Sequence, residues 1–205
     1  MWWRSVYAST NSFALECFID ELAHEAQKDP LDFRRSHLAG ARYQALIDNL
    51  EIVSDWKQRG KNAGWGVAIT ECFGSMVGQV VKVSRPANGK LHIDKVIALM
   101  DCGWYVNPDT IRAQVEGSIV MALGAATKHA THFNDGKAVE KNFDTYKMPR
   151  MSDIPDIEVH IMENEEKAGG VGEPGLPAFA PALCNAIFDL TGKRIRKLPF
   201  DLTIN

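Results

Sequence analysis

Residues 169–190 read GGVGEPGLPAFAPALCNAIFDL. A glycine-dense turn delivers one carboxylate, Glu173, and a proline follows it at once. Ala178–Leu190 then has the apolar stripe of a helix, closed by Thr191–Gly192. Glycines at 169, 170, 172 and 175 permit positive φ or close approach to another body, while Pro174 and Pro177 stiffen the same loop. The pattern predicts a carboxylate held still at the edge of a pocket; a surface turn with a solvated glutamate gives the same composition.

Outward from this loop, Ile157–Glu163 reads as the strand leading into it, and Arg194–Leu198 as a short terminal strand or a solvated basic edge. Further upstream, Asn107 suits a helix cap, Pro108 the first helical position and Asp109 the positive helix end. This predicts a helix over 108–125. Asn134–Asp135–Gly136 between His129–Phe133 and Ala138–Asn142 is a hairpin signal. Gly66–Phe73, Gly78–Arg85 and Leu91–Met100 have strand character, with a turn at Pro86–Gly89.

The first sixty residues read as helical. Asn11 or Ser12 caps a helix to about Gln27, with Phe13, Cys17, Ile19, Leu22, Ala23 and Ala26 on its apolar side. Asp29 caps Leu31–Leu38, and Ala41–Gln58 is a third helix carrying Leu46, Leu50, Val53 and Trp56. Trp2–Ser9 fits a strand or a loop. Helices and strands in separate blocks predict an α+β fold, a mixed or antiparallel sheet packed with several helices. Residues 1–60 form its mainly helical part and 61–205 the α+β part carrying the glutamate loop.

Composition narrows the function. Net charge is −3 and the isoelectric point about 6.1, which speaks against a nucleic-acid or anionic-membrane surface. The longest apolar run, Ser118–Ala126, is about half a membrane span, so no transmembrane segment is expected. The four cysteines, 17, 72, 102 and 184, form no C-x-x-C pair, which suggests neither a zinc site nor an iron–sulfur cluster. Cys17 and Cys184 fit buried thiols. His129 and His132 lie three apart on an expected strand, on opposite faces, so no metal site is expected there.

Several motifs together, WRS at 3–5, Phe18–Phe33, Asp101–Gly117, Tyr146–Met151 and VGEP at 171–174 with PALCNAIFDLTGKRIRKLPF after it, resemble the molybdenum hydroxylases. This is the xanthine dehydrogenase and aldehyde oxidase family, and within it the large (beta) subunits of the isoquinoline 1-oxidoreductase branch. The resemblance implies that this is the C-terminal piece of a molybdopterin-binding subunit. It implies that Glu173 is the general base in hydroxylation of an N-heteroaromatic, isoquinoline-like or aldehyde carbon, with water as oxygen source. It places Gln114, in AQVEGS, together with Gly117, Gly172 and Arg4, against the pterin; Ser118 stands where a second glycine is common. Asp101–Pro108 resembles a loop that packs near the cofactor.

The implied cofactor is molybdopterin with molybdenum, in its cytosine dinucleotide form, and no protein side chain is implied as a metal ligand. The implied partners are the remainder of the large subunit, a small iron–sulfur subunit and the small substrate. The piece alone is expected to lack both cofactor and activity. Any targeting signal would lie upstream, leaving cytoplasm or periplasm open. Two other classes fit parts of the sequence. One is a structural or interaction module that keeps the fold without the chemistry. The other is an acid/base enzyme with a nucleotide at GGVGEPG, though that loop lacks the Lys-Ser/Thr of a phosphate cradle.

Overall fold

The structure is a computed structural model describing residues 2–85 and 89–203. Three helices come first: α1 (Val6–Glu25), α2 (Pro30–His37) and α3 (Ala41–Val53). Strands β1 (Gly64–Cys72), β2 (Ser75–Ser84) and β3 (His92–Asp101) follow, then α4 (Pro108–Thr127), the small hairpin β4 (Phe133–Asn134) and β5 (Lys137–Ala138), β6 (Asp156–Ile161) and α5 (Phe179–Thr191). The main sheet has the order β1-β2-β3-β6; the first three strands are antiparallel, and β6 joins β3 in parallel, Lys95 opposite Asp156 and Met100 opposite Ile161. The fold is α+β.

Helices cover both faces of this sheet, so its central strands read as nearly continuous apolar runs rather than alternating ones. On one face Val67, Ile69, Met76, Val80, Ile97 and Leu99 pack against Leu31, Leu46, Ile47, Leu50 and Trp56 from the N-terminal helices. On the other face Ala68, Val77, Val81, Val96 and Met100 pack against α4 and α5 through Val115, Ile119, Phe179, Ala182 and Leu183. Helix α5 sits directly on β1. A Cβ at Gly66 would overlap the Ala182 carbonyl and the Ala186 nitrogen, and one at Gly64 would meet the Ala186 carbonyl.

Local chemistry explains most element boundaries. The Asp29 carboxylate accepts the Leu31 and Asp32 N–H groups, and Asn107 accepts the Thr110 N–H, each with proline at the first turn. Asp135 (φ 48°) and Gly136 (φ 74°) form the left-handed pair of the β4–β5 turn. The expected flanks shrink to two residues each, and residues 129–132 are not strand. His129 instead stacks on Tyr146, with centroids 5.1 Å apart, and His132 pairs with Glu140 at 2.6 Å. The turn expected at Pro86–Gly89 falls on residues 86–88, outside the described residues.

Four other expectations are corrected. Residues 6–9 are helix, so α1 begins well before Asn11. Its buried side carries Glu16 and Asp20, while Leu22 and Ala26 are exposed; Arg34 and Arg194 partner the two acids at 3.0 and 2.5 Å. The third helix stops at Val53, because Asp55 is left-handed (φ 49°) and Trp56 turns its indole N–H to Asp29 at 3.0 Å. Residues 194–198 form no strand. Arg194 and Arg196 pair with Asp20 and Glu21 and pin this segment to α1.

Candidate active site

The two parallel strands, β3 and β6, end at Asp101 and Ile161, and the loops that leave them meet at one edge of the sheet. In sheets with parallel pairing, sites form outside the carboxyl ends of the strands. Here the Gly169 N–H donates to Cys102 O and the Trp104 N–H to Glu166 O, at 2.8 and 2.9 Å. Asp101 anchors both loops. Its carboxylate accepts Arg42 at 2.7 and 2.9 Å, Asn164 at 3.0 Å and the Gly103 N–H at 3.0 Å. Burial works against its charge, but these donors outweigh it and hold the carboxyl below the usual aspartate range.

The loop carrying Glu173 is tied down along its length. The Gly170 N–H donates to Phe73 O in the β1–β2 turn at 2.8 Å, and Gly170 O accepts Ser75 Oγ at 2.7 Å. Gly175 O accepts Gln79 Nε2 from β2 at 2.6 Å. A Cβ at Gly169 would overlap Ser75 Oγ, and one at Gly175 would press on Val115 and Ser118 of α4. The glycines here serve close approach; none of 169, 170, 172 or 175 has positive φ.

Glu173 is half-buried. Its Oε1 accepts the Ser5 N–H at 2.9 Å, and its main-chain O accepts Ser5 Oγ at 2.7 Å and the Leu176 N–H at 3.1 Å. Arg4 lies beside it. The Arg4 Nε donates to Gly172 O at 3.0 Å, Nη2 also contacts that oxygen, and Nη2 donates to Gln114 O and Oε1 at 3.1 and 3.0 Å. Burial lowers the Arg4 pKa and the charge of Glu173 acts to raise it. The thiol of Cys72, at the end of β1, is pushed up to about 11 by burial and by the charges of Glu173 and Glu71.

Arg4 therefore joins Gln114 to Gly172 while its neighbour Ser5 holds Glu173, and Gly117 lies three positions on from Gln114 along α4. Arg4 does not stand free; it braces the loop against the helix. Ser118, where a glycine would leave space, turns its hydroxyl back onto Gln114 O at 2.8 Å. Ser5 is the residue the sequence reading passed over. It lies inside the WRS motif that drew attention to Arg4, and its hydroxyl is its only local signal.

Gln114 and Gly117 are exposed. A Cβ at Gly117 would meet nothing within 4 Å, and one at Gly172 would meet only Gln114 Oε1 at 4.0 Å. Space thus lies open beside a carboxamide offering donor and acceptor together, which fits the edge of a flat heterocycle such as a pterin. Cavities of about 540 and 430 Å³ lie elsewhere, one around Leu91, Lys128 and Phe200 and the other around Val120, Met151 and Ile157. Among the described residues no group of three His, Cys, Asp or Glu side chains could hold a metal ion, and no helix is long and apolar enough to cross a membrane. The four cysteines are buried and unbridged. Contact with Cys17 and burial hold the Cys184 thiol well above its ordinary range.

Residues 16–155 match the family model described as the molybdopterin cofactor-binding domain. The chain belongs to this family. The match includes Gln114 and Gly117 and stops short of Glu173. Across 96% of its length the domain is 33% identical to the isoquinoline 1-oxidoreductase subunit beta of Brevundimonas diminuta, covering 26% of that protein. Across 97% it is 32% identical to the membrane-bound aldehyde dehydrogenase [pyrroloquinoline-quinone] of Gluconacetobacter polyoxogenes, covering 28% of it. The domain thus spans about a quarter of the length of these relatives. The fold matches the aldehyde oxidoreductase of Desulfovibrio desulfuricans with a TM-score of 0.81, over 97% of this chain and 40% of that one, at 15% identity.

Proposed function

We propose that this domain forms one wall of a molybdopterin site in a larger oxidoreductase subunit, with Glu173 as its general base. The reaction is hydroxylation of an electron-poor carbon of an N-heteroaromatic ring or an aldehyde, with oxygen drawn from water. The observation that carries the reading is the tie of Ser5 and Arg4 to residues 172–173 and Gln114, which puts a fixed carboxylate next to an exposed carboxamide. Gln114 would hold the pterin edge, and Gly117 and Gly172 leave it room to approach. The molybdenum carried by the pterin, in a cytosine dinucleotide form, supplies two-electron redox chemistry. With Oε1 engaged by the Ser5 N–H, Oε2 of Glu173 accepts the proton that makes the water-derived oxygen nucleophilic. An iron–sulfur subunit would take the electrons onward.

The test is Glu173→Gln in the intact enzyme. Gln keeps the size and hydrogen bonding of the side chain but cannot take the proton, so turnover should fall by about 10²–10⁴. Molybdenum content and thermal unfolding should match the wild type. The deciding measurement is anaerobic reduction of the metal centre by substrate, followed optically. A variant that keeps its molybdenum and is reduced as fast as the wild type removes Glu173 from the reaction. Extraction of a quinone rather than a pterin from the enzyme overturns the cofactor assignment.

A further inference from the structure

We infer that Ser5 is a positioning residue for Glu173: from the left-handed entrance of α1 its N–H holds the carboxylate and its hydroxyl holds the main-chain oxygen of the same glutamate. The inference rests on the reading of Glu173 as the base and adds the group that aims it. Ser5 is fully buried and has φ 69°, and Val6 follows at φ 50°. A β-branched residue in this region is a true outlier, and such strain persists only where the surroundings over-determine it.

What the strain achieves is visible in the hydrogen bonds. A serine at the start of a helix ordinarily turns its oxygen to the next N–H groups. Ser5 makes no such cap. Its hydroxyl donates instead to Glu173 O at 2.7 Å, and its N–H to Glu173 Oε1 at 2.9 Å. Main chain and side chain of the glutamate are gripped by one residue, which fixes the carboxylate relative to its own backbone. The left-handed entry and the grip on Glu173 thus occur at one residue. Arg4 clamps the neighbouring Gly172, and the ion pairs of Glu16 and Asp20 keep α1 from drifting. Arg4 and the Cys72 thiol both feel the charge of Glu173.

Ser5→Gly tests this in the intact enzyme, because glycine accepts the left-handed backbone and keeps the N–H, so that only the hydroxyl anchor on Glu173 O is lost and the carboxylate is left held at one point. A loosened carboxylate should cost about ten- to a hundredfold in kcat, with KM, molybdenum content and unfolding temperature unchanged. A readout free of turnover is the infrared carboxylate stretch of Glu173 in the cofactor-free intact protein, isolated by subtracting Glu173→Gln. In Ser5→Gly this band should shift and broaden, because the main-chain oxygen of Glu173 loses its anchor. A band unmoved by Ser5→Gly overturns the inference, even if that variant loads no cofactor. Loss of activity through KM alone also overturns it. Failure of the general-base reading would show separately, as undiminished metal reduction in Glu173→Gln.

Discussion

Arg4 and Gln114 meet twice: one guanidinium nitrogen, Nη2, donates to the helix carbonyl of Gln114 at 3.1 Å and to its side-chain Oε1 at 3.0 Å. Nε of the same fork holds Gly172 O at 3.0 Å. A planar group with several fixed donors can span a loop and a helix in this way; a lysine ammonium cannot.

Arg4→Lys should therefore free the Gln114 carboxamide and the Glu173 loop from each other without unfolding the domain. Losing a hydrogen bond to a charged group costs about 1.5–3 kcal/mol, so turnover or cofactor occupancy in the intact enzyme should fall at least about tenfold. Molybdenum per subunit and kcat, measured on one preparation, check this. Full occupancy with wild-type kcat would show that the brace is dispensable.

Asp101 gives a pH prediction. Its carboxyl lies below the usual range because Arg42, Asn164 and the Gly103 N–H outweigh its burial. A depressed carboxyl contributes stability that is complete above its unfolded value, about 3.9, and is lost as pH falls through the folded value. The loops at the carboxyl ends of β3 and β6 should loosen in acid. Asp101→Asn should be less stable than wild type near neutrality, by about 1–3 kcal/mol, and should lose less on acidification. Urea midpoints from neutral to acid pH report both; parallel curves for the two proteins would contradict the assignment.

Gly66 tests the packing of α5 on β1. A Cβ there would overlap the backbone of Ala182 and Ala186, which cannot move without lifting the helix. Gly66→Ala should destabilise by about 1–3 kcal/mol or more. Gly60→Ala is the control, since a Cβ at Gly60 meets nothing within 4 Å and Gly60 has no positive φ. Equal unfolding midpoints for the two variants would mean the sheet and helix do not meet as described.

The sequence reveals those parts of the fold whose cause is local. Asp29 with Pro30 and Asn107 with Pro108 announce two helix starts, and Asn134–Asp135–Gly136 announces a turn, because the residues that make the structure are the ones that need it. The start of α1 is hidden for the opposite reason. Nothing in Ser5–Val6 favours a left-handed entry, and its partner is Glu173, 168 positions away. Phe73 in the β1–β2 turn (φ 54°) is similar: its carbonyl receives the N–H of distant Gly170. Glu16 and Asp20 break the apolar pattern of α1 because Arg34 and Arg194 reach them from other elements. Glu173, Gln114 and Arg4 could be singled out through motifs; Ser5 shares the WRS motif with Arg4, but its bonds to Glu173 exist only once residues 5 and 173 are together.

The grip of residues 4–5 on residues 172–173 also sets an order of events during synthesis. The holding residues leave the ribosome first, and the loop they hold leaves only after nearly all of the domain has been made. Contacts across so many positions form slowly, since the ends must meet before anything rewards the closure. Until then Glu173 has no fixed direction, and the wall that Gln114 shares with it does not exist. The cluster of Arg4, Ser5, Gln114 and Glu173 is therefore among the last parts of the domain to assemble.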